Sequence, residues 1–258
     1  MKILQISDPH LMSRPEGRLK NVPTAESLQE TLELARKVCP DPERVIWTGD
    51  LSHEETVDGY KLLKDLVGDW FERSQFLSGN HDDPQALQQV LGTPGLLSAG
   101  PVSFVEDVSG WRLIGVNTHW PGKSAGRLPV DQLSDSNAPW HEPADLPALL
   151  FMHHPPIDIG CPWLDRIRLQ NVEALQQLVG STTDLRAIFC GHVHQEYVGD
   201  LAGVPVFTAP STAVQFANTA EFCLEMHPPG FRLIDLHGDD VDTRVFRCAS
   251  LKHVPVAD

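Results

Sequence analysis

The stretch "LSGNHDD" (77–83) sets Gly79, Asn80, His81, Asp82 and Asp83 directly after an apolar run. Carboxamide, imidazole and carboxylate groups so close together can ligate a cation or move a proton. The plainer reading is a turn, because Gly79 and Asn80 tolerate left-handed backbone angles. The same residue types recur after other apolar runs. "QISDPH" carries Asp8 and His10, "IWTGD" carries Asp50, "LFMHH" carries His153 and His154, and "IFCGHVH" carries His192 and His194. Each cluster alone has an ordinary explanation in a cap or a surface histidine. Five of them in order, each at the end of an expected strand, point to one rim built for metal chemistry.

Side chains two apart on an extended segment face the same way, so Asp8 and His10 can reach one ion. The donors are carboxylate, imidazole and carboxamide oxygen without thiolate, a set suited to iron, manganese or zinc rather than to a structural zinc site. Two ions match the count. Asp50 is expected to bridge them, Asp8, His10 and His194 to complete one, and Asn80, His153 and His192 the other. His154 stays open beside His153 on residue type alone. Two cations about 3.5–4 Å apart can hold a hydroxide and clamp phosphate oxygens during in-line displacement. His81 follows a ligand without being needed as one, so it is expected to bind the phosphate and help protonate the leaving oxygen. Asn80 and His194 are expected to touch substrate with it, and Asp82 to orient Asn80 or the His81 ring. His53, His119, His141, His227, His237 and His253 show no partner pattern and read as surface or core histidines. Cys161 and Trp163 in "GCPWLD" read equally as pocket lining or packing.

Such a rim needs a layered α/β framework, since open sheets bind ligands beyond the carboxyl ends of their strands. Strands are expected at 2–7, 44–48, 74–78, 111–117, 148–152 and 186–190, with helices at 24–38, 55–68, 84–91 and 169–180. Thr24, Glu26 and Ser27 carry start signals for the first helix, and Pro84 suits an early position in the third. Beyond residue 195, "EYVGDLAGVPVFTAP" and "FRLIDLHGDDVDTRVFR" alternate around Gly and Asp-Asp turns, the pattern of hairpins. The expectation is a second sheet in that part, packed on the first in a sandwich flanked by helices. The Pro-, Gly- and Asp-rich stretch 119–147 reads as a long loop near the site.

At 258 residues the chain is expected to form a single domain, with a metal-site core over about 1–195 and a hairpin-rich part over about 196–250. The net charge of −15 argues against a nucleic-acid polymer as partner while leaving room for a small phosphorylated substrate on bound cations. No run approaches the ~18 apolar residues of a membrane span. The N-terminus "MKILQISDPHL" is too short in apolar residues for a secretory signal, and five scattered cysteines without C-x-x-C spacing read as reduced thiols. A cytoplasmic protein is expected, with a homodimer possible through a hairpin edge.

The order D-x-H, G-D, G-N-H-D, H-x-P, G-H-x-H resembles the calcineurin-like metallophosphoesterases. Here it runs Asp8-Pro9-His10, Gly49-Asp50, Gly79-Asn80-His81-Asp82, His153-His154-Pro155 and Gly191-His192-Val193-His194. The resemblance implies a four-layer α/β/β/α sandwich and a dinuclear site, and its H-x-P spacing favours His153 over His154 as ligand. "LQISDPHL", "GCPWLDRIRLQN", "CGHVHQEY", "APSTAVQF" and "PPGFRLIDLHGDD" make the chain similar, within that family, to the bacterial class III cyclic nucleotide phosphodiesterases of the 3′,5′-cyclic-AMP group. This implies hydrolysis of cAMP to 5′-AMP. Another phosphodiesterase or phosphomonoesterase, acting on a glycerophosphodiester or a nucleotide-sugar pyrophosphate, would use the same ions, and a non-catalytic scaffold is the third reading. The chain departs from the group at "GVNTHW", where Asn117 and Thr118 replace an aspartate-serine pair, and in the loop that follows.

Overall fold

The computed structural model describes residues 1–92, 102–129, 146–181 and 184–257. Its strands form two main sheets. The first runs β15 (Asp240–Arg247), β14 (Gly230–His237), β1 (Lys2–Ile6), β4 (Arg44–Thr48), β5 (Ser74–Leu77). The second runs β10 (Val198–Leu201), β11 (Val204–Thr208), β9 (Leu185–Cys190), β8 (Ala148–Met152), β7 (Trp111–Val116), β6 (Val102–Val108). Two small pairs, β2 (Arg18–Leu19) with β3 (Val22–Pro23) and β12 (Gln215–Phe216) with β13 (Leu224–Glu225), stand apart.

Alternation along the strands builds the layers. Leu4, Ile6, Val45, Trp47 and Phe76 face helices α1 (Thr24–Val38), α2 (Val57–Val67) and α3 (Pro84–Leu91), which contribute Leu28, Leu32, Tyr60, Leu63, Leu87 and Leu91 to one core. The intervening residues Ile3, Ile46 and Leu77 face the other way, onto Leu113, Leu149, Phe151 and Phe189 of the second sheet. That sheet turns Ile114, Leu150, Met152 and Ile188 outward onto Ala174 and Leu175 of α4 (Val172–Ser181). Three apolar layers thus separate helices, sheet, sheet and helix, the α/β/β/α sandwich expected. Between the sheets Phe151 stacks on Phe189 at 5.4 Å and Phe189 on Phe207 at 5.3 Å. Each such buried ring contributes roughly 1.5–3 kcal/mol.

β1, β4 and β5 are mutually parallel, as are β7, β8, β9 and β11, so the site-bearing strand ends of each sheet point one way. Helix α3 begins as expected, with Pro84 in its first turn and Asp83 accepting from the backbone N–H groups of Gln85 and Ala86. Helix α1 does not. Pro23 stands at its cap without a side-chain bond, while Ser27 Oγ donates to the Thr212 carbonyl 2.6 Å away. Tertiary packing claims that hydroxyl.

The hairpins beyond residue 195 differ from the expectation. Apart from the small β12–β13 pair they join the two main sheets: β14 pairs antiparallel with β1 and carries β15 into the first sheet, whereas β10 and β11 extend the second. The second sheet is mainly the work of residues 102–190. Because the last strands complete both sheets, we propose a single domain over 1–258. Residues 119–129 run without helix or strand, held by a bridge from Gly126 to Leu169, and 130–145 of the expected loop lie outside the described residues.

Candidate metal centre

Backbone hydrogen bonds continue the β1–β4 pairing past the strands. Asp8 N–H donates to the Gly49 carbonyl at 3.1 Å, His10 N–H to Asp50 at 2.9 Å and Leu11 N–H to Leu51 at 3.0 Å. Asp8 and Asp50 are thereby fixed side by side at the rim. The second sheet closes onto them: Gly191 N–H donates to the His153 carbonyl, His192 N–H to the Asp8 carboxylate, and His153 Nδ1 contacts the Thr48 carbonyl at 2.7 Å. Asp8, His10, Asp50, His192 and His194 all take left-handed angles, φ between +44° and +71°. Non-glycine residues held there cost about 1–3 kcal/mol each, a strain expected where geometry is dictated by a site. Gly79 is required by proximity, since a Cβ there would run into the Asp50 carboxylate and stand 2.5 Å from the Asp50 backbone nitrogen.

The donors form two adjoining groups. In the first, ligand atoms of Asp8, His10, Asp50 and His194 lie within 4.8 Å of one another, and all four residues are buried. His194 Nε2 is 3.4 Å from Asp8 Oδ1, and His10 Nε2 is 3.5 Å from Asp50 Oδ2. In the second, His153, His154 and His192 meet within the same span. His153 Nε2 stands 3.4 Å from Asp50 Oδ1 and 3.3 Å from Asn80 Oδ1. Asp50 therefore presents one oxygen to each group. All the residues expected to ligate metal are brought together.

Outer contacts set the rings. His153 Nδ1 donates to the Thr48 carbonyl and His194 Nδ1 to the Val214 carbonyl, at 2.7 Å each, which fixes the rings with Nε2 turned toward the carboxylates. Among the described residues His192 Nε2 is buried without a hydrogen-bond partner. Burial holds the His192 imidazole down at about 3 and takes His10 well below its ordinary range, so both offer lone pairs. Burial also pulls on His153, but Asp50 and then Asp8 outweigh it and hold that ring up at about 9. A cation-shaped demand for positive charge faces these carboxylates. Lone-pair nitrogens, carboxylate oxygens and one carboxamide, with no thiolate, fit a pair of divalent cations.

His154 is differently employed. Its Nδ1 lies 2.8 Å from Thr118 Oγ1 and its Nε2 3.2 Å from the Ser124 carbonyl. Asp82 departs from its expected part as well. It orients neither the His81 ring nor Asn80; its carboxylate accepts from the backbone N–H groups of Leu51, Ser52 and Gly79 and from Tyr60 Oη. Asp82 thus ties the β4 and β5 loops together. Burial and the nearby Asp50 raise its carboxyl to about 6 against those N–H donors. Removing these acceptors by Asp82→Ala leaves buried donors unpaired, and urea unfolding is expected to show a loss of about 3 kcal/mol.

His81 is half-buried, with its backbone N–H on Asp50 Oδ1 at 2.8 Å. It and Asn80 line a cavity of about 620 Å³ together with Gln85, His119 and Lys123. His119 is placed by Nδ1 at 2.8 Å from the Gly79 carbonyl. Sequence reading missed His53, whose ring stacks on His81 at 4.7 Å and reaches His10. Cys161 and Trp163 pack with Ile159, Leu164 and Val193 in a small apolar cluster.

Residues 1–196 match the calcineurin-like phosphoesterase family. The chain is 31% identical over 238 residues to the 3′,5′-cyclic adenosine monophosphate phosphodiesterase CpdA of Pseudomonas aeruginosa, covering 92% of this chain and 86% of that one. It is 31% identical over 262 residues to the protein of the same name from Escherichia coli, covering 99% and 92%. A dimetal phosphatase from Danio rerio superposes with a TM-score of 0.68 over 100% of this chain and 99% of that one; at 14% identity the likeness concerns the fold.

Proposed function

The chain belongs to the calcineurin-like phosphoesterases, and from that premise we propose that it hydrolyses 3′,5′-cyclic AMP to 5′-AMP on two metal ions. One observation carries the reading: Asp50 turns an oxygen to each of two buried donor groups, directly beside a cavity large enough for a nucleoside. Relatives similar over nearly the whole chain are named for cyclic AMP, which supports that substrate. In this proposal Asp8, His10 and His194 hold one ion, Asn80, His153 and His192 the other, and Asp50 both. His154 is left out because Thr118 and Ser124 occupy its ring nitrogens.

When bound, the two cations supply an activated water nucleophile and neutralise charge on the phosphoryl oxygens. The protein does the rest. Asn80, His81 and His194 orient the phosphate, the cavity beside His81 receives the nucleoside, and His81 donates a proton to the departing 3′ oxygen. Iron or manganese suits the oxygen- and nitrogen-rich donor set, with zinc as the third option.

The cytoplasmic setting and the homodimer belong to the same proposal. Five free cysteines support the first, and strand edges at β5, β6, β10 and β15 that are unpaired among the described residues support the second. Among the described residues no helix is long and apolar enough to cross a membrane. A substrate panel tests the activity. After chelation and reconstitution with Mn²⁺, Fe²⁺ or Zn²⁺, cAMP is expected to be cleaved faster than an aryl phosphodiester and far faster than a monoester. Monoester cleavage equal to or faster than that of cAMP would overturn the substrate.

A further inference from the structure

His53 lies outside the strand-end pattern, yet the chain delivers it to the site by the same device that pairs Asp8 with Asp50. Leu11 bridges Ser52, and His53 N–H donates to the Leu11 carbonyl at 2.9 Å. The loop after β1 and the loop after β4 therefore keep the sheet's register two residues beyond the donors. His53 Nδ1 lands 3.2 Å from His10 Nδ1, and its ring stacks on His81 with centroids 4.7 Å apart and planes 22° from parallel.

That placement singles out His10 within its group. His194 and His153 lean their outer nitrogens on main-chain carbonyls, which cannot rotate away. His10 leans on a side chain. If Nε2 of a neutral His10 faces the cleft, its proton sits on Nδ1 and is donated to His53 Nδ1, which in turn places the His53 proton on the outward Nε2. We propose that His53 is a positioning residue: it fixes the ring of His10 for the ion held by Asp8, His10, Asp50 and His194, and props the ring of His81. The inference rests on the dinuclear reading above.

The chemistry requires an acceptor facing His10 and a flat surface facing His81. His53→Ala removes both. His53→Gln restores a carbonyl oxygen for His10 Nδ1–H and part of the flat surface. The wild type and both variants, stripped of metal and titrated with Mn²⁺ under calorimetry, give stoichiometry and affinity independently of turnover. Wild type is expected to take up two ions. His53→Ala is expected to bind one unchanged and the other about 10–100-fold more weakly, the usual effect of losing a ligand's outer partner. At saturating Mn²⁺ it keeps a lowered kcat with little change in KM, through the loosened His81. His53→Gln is expected to regain most of the affinity.

Unchanged affinity for both ions in His53→Ala overturns the proposal. So does a glutamine variant as weak as the alanine one, since that outcome makes His53 a packing residue. Uptake of fewer than two ions by the wild type overturns the dinuclear reading itself, and the unsubstituted control tells that failure apart.

Discussion

Asp50→Asn is expected to lower turnover of cAMP by about three orders of magnitude, equivalent to ~4 kcal/mol of transition-state stabilisation. Asp50 turns one oxygen to each donor group, with Oδ2 at 3.5 Å from His10 Nε2 and Oδ1 at 3.4 Å from His153 Nε2. An amide keeps the shape but turns one of those oxygens into a donor. Whichever way the amide lies, an NH₂ then points at a lone pair meant for a cation, and a full negative charge is lost between two positive ions. Burial opposes that charge, but His153 and His10 outweigh it and hold the carboxyl well below its usual range. The ionised form is thus the one the site is built around. Metal analysis should fall below two ions per chain with the circular dichroism unchanged. A variant that retains both ions and turns over within about tenfold of wild type would remove Asp50 from the bridging position.

The rim was legible because its parts are local. An apolar run followed by glycine and a donor can be read within seven residues, and strands such as Arg44–Thr48 and Ala148–Met152 appear where their alternation or continuous apolarity places them. Strand β6 was not legible. "VSFVEDV" carries Glu106 and Asp107 on a sheet edge, where they pair with Arg44 and Arg112, so two consecutive acids break its alternation. The partners of β14 were hidden for another reason. Periodicity identifies a strand but not which strand it meets, and Ile234 finds Ile3 across the whole length of the chain.

The roles of Asp82 and His53 failed on the same ground. Asp82 follows His81 in sequence, which suggested service to that ring, yet its carboxylate accepts from the backbone N–H groups of Leu51 and Ser52. His53 has no motif around it because its neighbours, His10 and His81, come from the ends of β1 and β5. Local patterns reveal which residues arrive at a rim. Register between strands decides what they touch.

His81→Ala separates proton delivery from metal binding. The ring carries none of the donor contacts assigned to the two ions, and its backbone N–H on Asp50 survives the substitution. Both ions should therefore stay bound, measured by metal analysis on the same preparation used for kinetics. On cAMP the departing group is an alkoxide, which needs a proton as the bond breaks, and general-acid contributions of this kind are worth about 10²–10⁴-fold. We expect kcat to fall by roughly 10³-fold. A nitrophenyl diester loses a phenolate that is stable without a proton, so its cleavage should fall by no more than about tenfold. The contrast between the two substrates is the diagnostic, because any damage to the cations or to phosphate orientation depresses both alike. Equal losses on the two substrates would assign His81 to phosphate binding and leave the proton to another group.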